Sequence, residues 1–330
     1  MRDDDAAAAA DAADHRAWHH DEAIQRHVLS FLGPRDTARL SSLNRSFHHS
    51  ARHSLCLDLT DGEDILAIGG VASLVSFYTR AHVLRLHRSF GLPSDLDPLM
   101  RLECLREASF QDVVCLTDAH LALLTTHAPS LRLLHVEGSH EVQTPHIASL
   151  PLLESLVFKY NLLLQSISFD ATPSSLVEIH VTACPSFDAF DALVAAVPHV
   201  RTANFSQSNA LAVFHCRTWP ELHTLLLDRS PQLAVLDIDA PKLKSLNVQL
   251  CGRLTQAVLV AASLQSVSFS MLPALQVLYL DCPSLTRLNL TGNRQLEPTG
   301  TTLECPKLKK CLFQGTRLHP PPRPPAVDQR

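Results

Sequence analysis

Histidine and cysteine are the residues of this chain with the clearest capacity for chemistry, since 19 histidines and nine cysteines occur among 330 residues. Imidazole and thiolate groups bind transition metals and act as bases or nucleophiles. His49 and His53 stand at helical spacing, with His48 and the pair His19-His20 nearby. A metal site there needs two further ligands in a defined geometry. We therefore interpret most of the histidines as solvated residues and expect no metal site.

The sequence motifs that usually accompany catalysis are missing. The dinucleotide motif GxGxxG, the phosphate loop GxxxxGK[ST], the nucleophile elbow GxSxG and the zinc motif HExxH do not occur. A cysteine nucleophile needs an adjacent base and a cleft, and nothing in the sequence points to either. An enzyme with a site hidden on a repeat surface is the weakest hypothesis, so we expect a non-catalytic protein without a cofactor.

The nine cysteines are odd in number and do not form paired CxxC motifs. Cys184, Cys251, Cys282 and Cys305 recur at equivalent or near-equivalent places. We expect each of them to be a small buried hydrophobe and a weak donor to turn backbone, not a metal ligand.

The chain has no run of 18 apolar residues, and its N-terminus is acidic where a signal peptide is basic. A cytoplasmic or nuclear protein is therefore expected.

A proline–leucine phrase recurs along the chain and indicates the elements that position these residues. Clear copies are APSLRLLHV (128–136), APKLKSLNV (240–248) and CPSLTRLNL (282–290). Successive copies are about 20 to 25 residues apart, the interval of leucine-rich repeats. The prolines are Pro129, Pro151, Pro173, Pro198, Pro220, Pro241, Pro283 and Pro306, with the segment around Ser263 filling the remaining gap. A single unit cannot bury its leucines but a stack can, so we predict a leucine-rich-repeat solenoid over residues 101–316.

The repeats predict an α/β fold whose coils change along the chain. In the LxxLxL phrase the first, fourth and sixth residues turn inward, here Leu131, Leu134 and Val136. A helix of about Asp118–His127 precedes this strand, and a degenerate first strand is expected near Val83–Leu86. Later coils have second apolar phrases that favour a strand on the other side: 162–169, 210–216, 231–238, 254–260 and 273–280. Early coils should be strand–helix and later coils largely strand–strand, which leaves open which strand set lines the concave face.

The outward residues of the main strands form the predicted concave face. The outward residues from 202 to 291 are small and polar with few charges. Thr182 and Ser206 are expected among the outward residues of the whole face. Such a face can hydrogen-bond a peptide or loop but has no basic stripe for phosphate. The candidate substrate-binding residues are His135, Glu137, Lys159, His180, Asn204, Asp228, Asn247, Gln249, Arg287 and Asn289. The alternative interpretation is that serine, threonine and asparagine simply suit an exposed strand.

Charge and composition restrict the partners and the flanking segments. The net charge is -5 with both signs mixed, which argues against nucleic acid or an anionic membrane as the main partner. Residues 1–17 are of low complexity and expected to be disordered, and 56–100 to link or cap the repeats. The proline-rich tail 317–330 favours polyproline II, either solvated or as a ligand for an SH3-type domain.

The segment 18–55 resembles an F-box. The family phrase has a helix ending in I-L-S-F-L, then P-x-D-L, then a helix with R-L-S-x-V-x-R-x-W. VLSFLGPRDTARLSSLNRSF (28–47) reproduces most of it, departing from the family at Thr37 and at Trp18-His19-His20, where a leucine-proline is usual. The matching residues include Pro34, Asp36, Leu40, Leu43, Arg45 and Phe47.

The repeats resemble the cysteine-containing leucine-rich repeats of F-box/LRR proteins, most clearly in LTDAHLALLTTHAPSLRLLHVEGSH, where Ala128 and Ser139 replace the two family cysteines. Together the two resemblances imply the substrate receptor of an SCF-type ubiquitin ligase. The F-box would dock on a Skp-type adaptor joined to a cullin scaffold, and the repeats would hold a protein substrate. The implied adaptor-binding residues are Ile24, Val28, Leu29, Phe31, Leu32, Pro34, Leu40, Leu43 and Phe47. The second hypothesis is a stand-alone interaction scaffold without ligase coupling, in which these residues only cap the repeats.

Overall fold

A computed structural model of the chain describes residues 56–59, 75, 78–87 and 96–318. The F-box-like segment, the N-terminal segment 1–17 and the tail beyond residue 318 lie outside the described residues. All nine candidate adaptor-binding residues lie there too, so their structural role stays a prediction. The chain divides into two compact units. The first extends to Val157 and includes Ser168–Pro173, and the second contains Phe158–Ile167 and continues from Ser174.

The first unit is a parallel sheet with one strand per coil and helices on the return paths. Its strands β1 to β4 pair in chain order, all parallel: β1 (Cys56–Leu59), β2 (Val83–His87), β3 (Glu107–Gln111) and β4 (Leu133–Glu137). The return paths carry α1 (Asp97–Met100), α2 (Asp118–His127), and the two-residue strands β5 (His146–Ile147) and β7 (Ser168–Phe169), which pair in parallel. Strand β6 (Ser155–Lys159) begins in the first unit and ends in the second.

Helix α2 begins and ends where the sequence predicts, and local hydrogen bonds account for its start. The backbone N–H of Thr117 donates to Nδ1 of His120 at 3.1 Å, which satisfies a donor at the helix entrance. The Asp118 carboxylate accepts the backbone N–H groups of Gln143 and Thr144 at 3.0 and 2.9 Å. This carboxylate therefore ties the first turn of the helix to the beginning of the next coil.

The second unit contains two parallel sheets, and most of its coils supply one strand to each. One sheet contains β8 (Glu178–Thr182), β9 (Thr202–Asn204), β11 (Thr224–Leu226), β13 (Ser245–Asn247), β15 (Ser266–Ser268), β17 (Arg287–Asn289) and β19 (Lys310–Leu312). The other contains β10 (Val213–Cys216), β12 (Val235–Asp239), β14 (Gln256–Val260), β16 (Val277–Asp281) and β18 (Thr301–Glu304). A helix, α3 (Phe190–Ala196), takes the return path between β8 and β9.

The predicted change from strand–helix to strand–strand coils is present in the described residues. We call β1 to β4, β6, β8, β9 and the odd-numbered strands from β11 to β19 the front strands. The strands β10, β12, β14, β16 and β18 are the back strands. The sequence phrases that predicted back strands contain β10 and β14, overlap most of β12 and β16, and include β7 at the end of 162–169. Helix α3 and strand β18 were not predicted.

The proline–leucine phrase encodes a tight turn that carries the chain into each front strand. In the coil of Pro241, the backbone N–H of Leu243 donates to the carbonyl of Ala240 at 3.1 Å. Proline thus occupies the second place of a four-residue turn, where its fixed φ is already suitable. Pro283 and Pro306 occupy the same place in their turns. The leucine that follows is buried in the coil of Pro241, so the phrase combines a turn signal with a core residue.

A left-handed backbone position recurs after the front strands. With the first residue of a front strand as position 1, position 6 has positive φ in every coil from β3 to β19. These residues are Asp112, Gly138, Tyr160, Ala183, Gln207, Arg229, Leu250, Met271, Gly292 and Gly315. Only three are glycine, although the left-handed conformation costs other residues of order 1 kcal/mol. Stacking of successive coils therefore holds this turn in one geometry regardless of the residue type.

Position 7 carries buried side chains that hydrogen-bond one coil to the next. Asn293 donates from Nδ2 to the carbonyl of Phe269, in the preceding coil, at 2.7 Å. Its Oδ1 accepts the backbone N–H of Leu272 at 2.9 Å. Ser230 and Cys251 take the equivalent place and donate to carbonyls of their preceding coils at 3.4 and 3.3 Å. A buried carbonyl without a donor is costly, which favours a small polar or thiol side chain at this position, although Val113 and Leu272 occupy it in two other coils.

Removing this interaction should destabilise the fold. For Asn293→Ala we expect the free energy of unfolding to fall by about 2–4 kcal/mol, because a buried carbonyl and a buried N–H both lose their partners. Urea denaturation followed by circular dichroism measures this. Asn209→Ala, at an exposed position without such bonds, is the matched control and should change stability by less than about 0.5 kcal/mol. Equal effects of the two substitutions would contradict this role for position 7.

Candidate functional site

The front face consists of the outward positions of the front strands. In β4 the second and fourth residues, Leu134 and Val136, are buried, whereas positions 1, 3 and 5 are partly exposed. The same alternation holds in β6. All ten candidate binding residues lie at positions 1, 3 or 5 of front strands, counting Asp228 and Gln249 as position 5 just beyond their strands. The structure thus places them on one type of strand, while their role in binding stays a prediction.

In the first unit the front face is a network of charged and histidine side chains. Arg85 lies between Asp58 and Glu107 on the neighbouring strands, at 3.9 and 3.8 Å. At the next outward position of the same strand, Nδ1 of His87 lies 2.8 Å from Oε1 of Gln111. The charges of this part of the face are therefore largely matched within the unit.

Ser109, His135 and Glu137 have the composition of a hydrolytic triad. Ser109 Oγ lies 3.4 Å from His135 Nδ1, and His135 Nε2 lies 3.2 Å from Glu137 Oε2. Acyl transfer also needs N–H donors directed at the developing oxyanion. Both β3 and β4 are paired in the parallel ladder, so the nearby strand amides are used by the sheet. We interpret the three side chains as a polar binding surface.

A similar arrangement lies on the return path, where His146 bridges Ser168 at 2.9 Å and Asp170 at 2.6 Å. About half of the surface of the His146 and Asp170 side chains is exposed to solvent. Such exposure provides neither a cleft nor exclusion of water, both of which covalent catalysis requires. The contacts join two successive return segments and account for the alignment of β5 with β7.

Asparagines occupy position 3 of three front strands in the second unit. The Oδ1 atoms of Asn204, Asn247 and Asn289 each accept the backbone N–H two residues later, at 3.0, 3.3 and 3.1 Å. These bonds fix the backbone just after the strand, although β11, β15 and β19 end at the same position without an asparagine. The side-chain amide N–H groups remain for a ligand. These residues therefore combine the structural role considered in the sequence analysis with a capacity to donate to a partner.

The expectation that Thr182 and Ser206 face outward is wrong. Both lie at position 5 but are only 8% and 6% exposed. Ser206 Oγ donates to Oδ1 of Asp228 in the next coil at 2.6 Å. The bond to Asp228 of the next coil accounts for the covered Ser206, whereas Gln249 and Gln314 at position 5 of other coils are exposed.

A row of basic side chains lies along one edge of the front sheet in the second unit. We call Arg201, Lys244, Arg287, Lys309 and Lys310 the basic edge. They occupy position 1 or the residue just before it, position 0. Backbone bonds connect position 0 from coil to coil, as from Lys309 N–H to the Thr286 carbonyl at 3.0 Å. Apart from Arg287, these residues were not predicted as binding residues, although the repeated segments PKLK and PSLTR contain the signal for the row.

Large apolar side chains are exposed at position 6 of two adjacent coils. Leu250 and Met271 are 60% and 65% exposed and have φ of 62° and 58°. The turn geometry directs this position away from the core, so both side chains border the front face at the end opposite the basic edge.

Burial makes the thiols of Cys184, Cys216 and Cys251 poor nucleophiles at neutral pH. It raises the pKa of Cys184 and of Cys251 to about 11, and that of Cys216 to about 12. Cys184 and Cys251 share position 7 and donate to backbone carbonyls, as expected. Cys282 and Cys305 are not equivalent to them, because they follow back strands and donate to the carbonyls of Leu259 and Leu280 at 3.8 Å. The sequence analysis did not separate these two places.

Other kinds of site find little support in the described part of the chain. No three histidine, cysteine or acidic side chains of residues 56–59, 78–87 and 96–318 gather in a metal-binding cluster. No helix within these ranges is long and apolar enough to cross a membrane. An open polar cavity of about 440 Å³ is lined by Gln276, Gln295, Glu297, Thr299, Gly300 and Arg317. Its side chains already pair with one another, Gln276 with Gln295 and Arg317 with Glu297.

Comparison with known proteins adds structural likeness only. No family profile and no curated protein matches the chain. The leucine-rich repeat domain of the type III effector XopL is similar over 88% of this chain and 96% of its own, with 14% identity and a TM-score of 0.35. A leucine-rich cell surface protein from Faecalibacterium prausnitzii is similar over 64% of this chain and 74% of its own, with 12% identity and a TM-score of 0.25. A leucine-rich repeat protein from Eubacterium ventriosum is similar over 81% of this chain and 90% of its own, with 10% identity and a TM-score of 0.23.

The raised thiol pKa values predict a loss of stability in alkali. A thiol whose pKa is higher in the folded than in the unfolded chain stabilises the fold fully below the unfolded value of 9.0. That contribution is lost as pH rises from about 9 to about 11. Cys251→Ser keeps a hydrogen-bond donor at position 7, since Ser230 donates from the equivalent place, but removes the ionisable thiol. Urea denaturation should therefore show the stability of the wild type falling relative to Cys251→Ser by about 2 kcal/mol over this range. Parallel pH profiles would contradict burial of this thiol.

Proposed function

We propose that this protein is the substrate-binding subunit of an SCF-type ubiquitin ligase. Its F-box-like segment 18–55 docks on a Skp-type adaptor joined to a cullin scaffold, and the front face holds a protein to be ubiquitinated. The observation that carries the proposal is the front face of the second unit. It presents exposed hydroxyl, amide and basic groups at regular strand positions on a backbone held in place by buried hydrogen bonds. The F-box resemblance directly before the repeats supports the ligase coupling.

The second unit supports recognition of a protein more than recognition of a small molecule. Ligand pockets are mostly apolar concavities that enclose the ligand, whereas these groups lie along successive strands. Asn247 and Asn289 have amide N–H groups to donate, and Ser245 and Ser266 add exposed hydroxyls. Backbone and side chains of an extended segment or loop can bond to such a row. The protein itself is non-catalytic in this proposal, needs no cofactor, and acts in the cytoplasm or nucleus.

The F-box-like segment has a physical reason to seek a partner. A helical pair of about 35 residues buries too little apolar surface to be stable alone. Leu29 and Leu40 therefore belong to the set expected to enter the groove of the adaptor. The departures at Thr37 and at Trp18-His19-His20 alter the entrance of the motif and leave these apolar positions in place.

Adaptor binding tests the proposal directly. The full chain should bind a purified Skp adaptor–cullin pair saturably in an isothermal titration, and Leu29→Asp or Leu40→Asp should reduce the affinity at least about 100-fold, since each buries a charge. Leu152→Asp is the matched control, because it makes the same change at a repeat leucine that is 43% exposed. It should bind as the wild type does.

Circular dichroism of every variant distinguishes a lost contact from a lost fold. Absence of binding by a folded wild type would contradict the ligase proposal and favour the stand-alone scaffold. Equal binding by Leu29→Asp and the wild type would remove the assigned residues from the interface.

A further inference from the structure

Within the part of the chain that the structure describes, the side chains of the basic edge form no close ion pairs. None of its five side chains forms an ion pair within 4 Å among residues 56–59, 78–87 and 96–318, although ten such pairs are present there. In the first unit, by contrast, Arg132 at position 0 lies 2.6 Å from Glu154 at position 0 of the next coil. Position 0 can therefore hold matched charges, and the second unit does not do so.

Two members of the basic edge are adjacent like charges. Arg287 and Lys310 are direct partners on neighbouring strands, and both are exposed. Like charges directly opposite each other destabilise a sheet. Asp281 and Glu304 precede the same proline turns at the ends of back strands, but neither pairs with the edge within 4 Å. Folding alone gives no reason for this pair.

The surroundings of the basic edge already stabilise an anion. Glu221, two residues before position 0, has a lowered pKa. Its bond with Lys242 is the largest cause, and the charge of Arg201 lowers the pKa further. The positive charge of the edge at Arg201 therefore acts on a carboxylate of the neighbouring coil.

The spacing of the basic edge fits an extended peptide. Strands in a sheet are about 4.8 Å apart, so Arg201, Lys244 and Arg287, each two strands from the next, stand at intervals of about 10 Å. A peptide in the extended polyproline II conformation rises about 3.1 Å per residue with three residues per turn, so acidic residues three apart face the same side and recur at about 9 Å. Thr202, Thr224, Ser245 and Ser266 provide hydroxyls between the cations.

Nucleic acid fits the basic edge less well. Binding of single strands combines cations with aromatic side chains on which bases stack. Positions 0 and 1 from β9 to β19 hold no aromatic ring other than the imidazole of His223. The net charge of -5 also opposes attraction of a polyanion over a long range.

We infer that the basic edge binds an acidic segment of the protein partner, with carboxylate or phosphate groups about three residues apart contacting Arg201, Lys244, Arg287 and Lys310. This inference rests on the proposed function, since it specifies the chemistry of the substrate that the front face holds. Binding through exposed charges is weakened by salt, because the Debye length is about 10 Å at 0.1 M.

The test uses the full chain and three fluorescein-labelled peptides about twelve residues long. One has glutamate at every third residue, and in the others phosphoserine or serine replaces it. Fluorescence anisotropy should show binding of both anionic peptides, weakening with salt, and at least about tenfold weaker binding of the serine peptide. The double variant Lys244→Glu/Arg287→Glu should lose at least about tenfold in affinity. Arg229→Glu/Arg294→Glu makes the same charge change away from the edge and should lose less than threefold.

The outcomes separate this inference from the proposed function. The relative affinity of the two anionic peptides identifies the source of the charge, carboxylate or phosphate. Equal losses in the two double variants, no binding of either anionic peptide, or tighter binding of an oligonucleotide of equal charge would overturn the inference. Both variants should bind the Skp adaptor–cullin pair as the wild type does. Adaptor binding without peptide binding would leave the proposed function in place while removing this assignment.

Discussion

The hydrogen-bonded parallel stacking of successive coils is the interaction on which the rest of the structure depends, and in several coils a side chain at position 7 extends it to a buried carbonyl of the preceding coil. Front strands point their even positions into a core from which water is excluded, and the strand pairing ends before the turn. The carbonyls left there need a donor. Asn293, Ser230 and Cys251 meet this need with three different chemical groups. A small donor thus occupies a fixed place in these coils, whereas Val113 and Leu272 occupy the same place without a donor and their turns are held by backbone bonds between coils.

This stacking of coils determines what the front face can present. Because each coil is bonded to its neighbour, position 6 keeps the left-handed conformation even where it is Leu250 or Met271. Positions 1 and 3 then form straight rows with one residue per strand, and position 0 forms a third row at the edge. Side chains that recur at one position of successive repeats therefore lie in a row across the sheet. Residues that are far apart in the sequence, such as Lys244 and Arg287, thus lie in one row, the basic edge.

The sequence predicted much of the fold because proline and leucine mark the turn and the core directly. Strand β4, helix α2 and the back strands β10 and β14 lie within their predicted segments. Helix α3 precedes Pro198 as helix α2 precedes Pro129, but its seven residues make only about two turns and give too short a helical pattern to be recognised in the sequence. Thr182 and Ser206 were misjudged because strand alternation gives the direction of a side chain but not how far neighbouring side chains cover it. The basic edge was missed because position 0 precedes the strand and belongs to neither alternating set. The F-box resemblance lies outside the described residues, so it rests on sequence alone.

The central claim is that one chain has two separate binding functions, an adaptor-docking segment and a front face that holds an acidic protein segment. Sedimentation velocity of the full chain with the Skp adaptor–cullin pair and the labelled phosphoserine peptide tests both at once. The account predicts a single species that contains the adaptor pair and carries the peptide fluorescence, with stoichiometric peptide. Separate peptide-bound and adaptor-bound species, or displacement of one partner by the other, would contradict it.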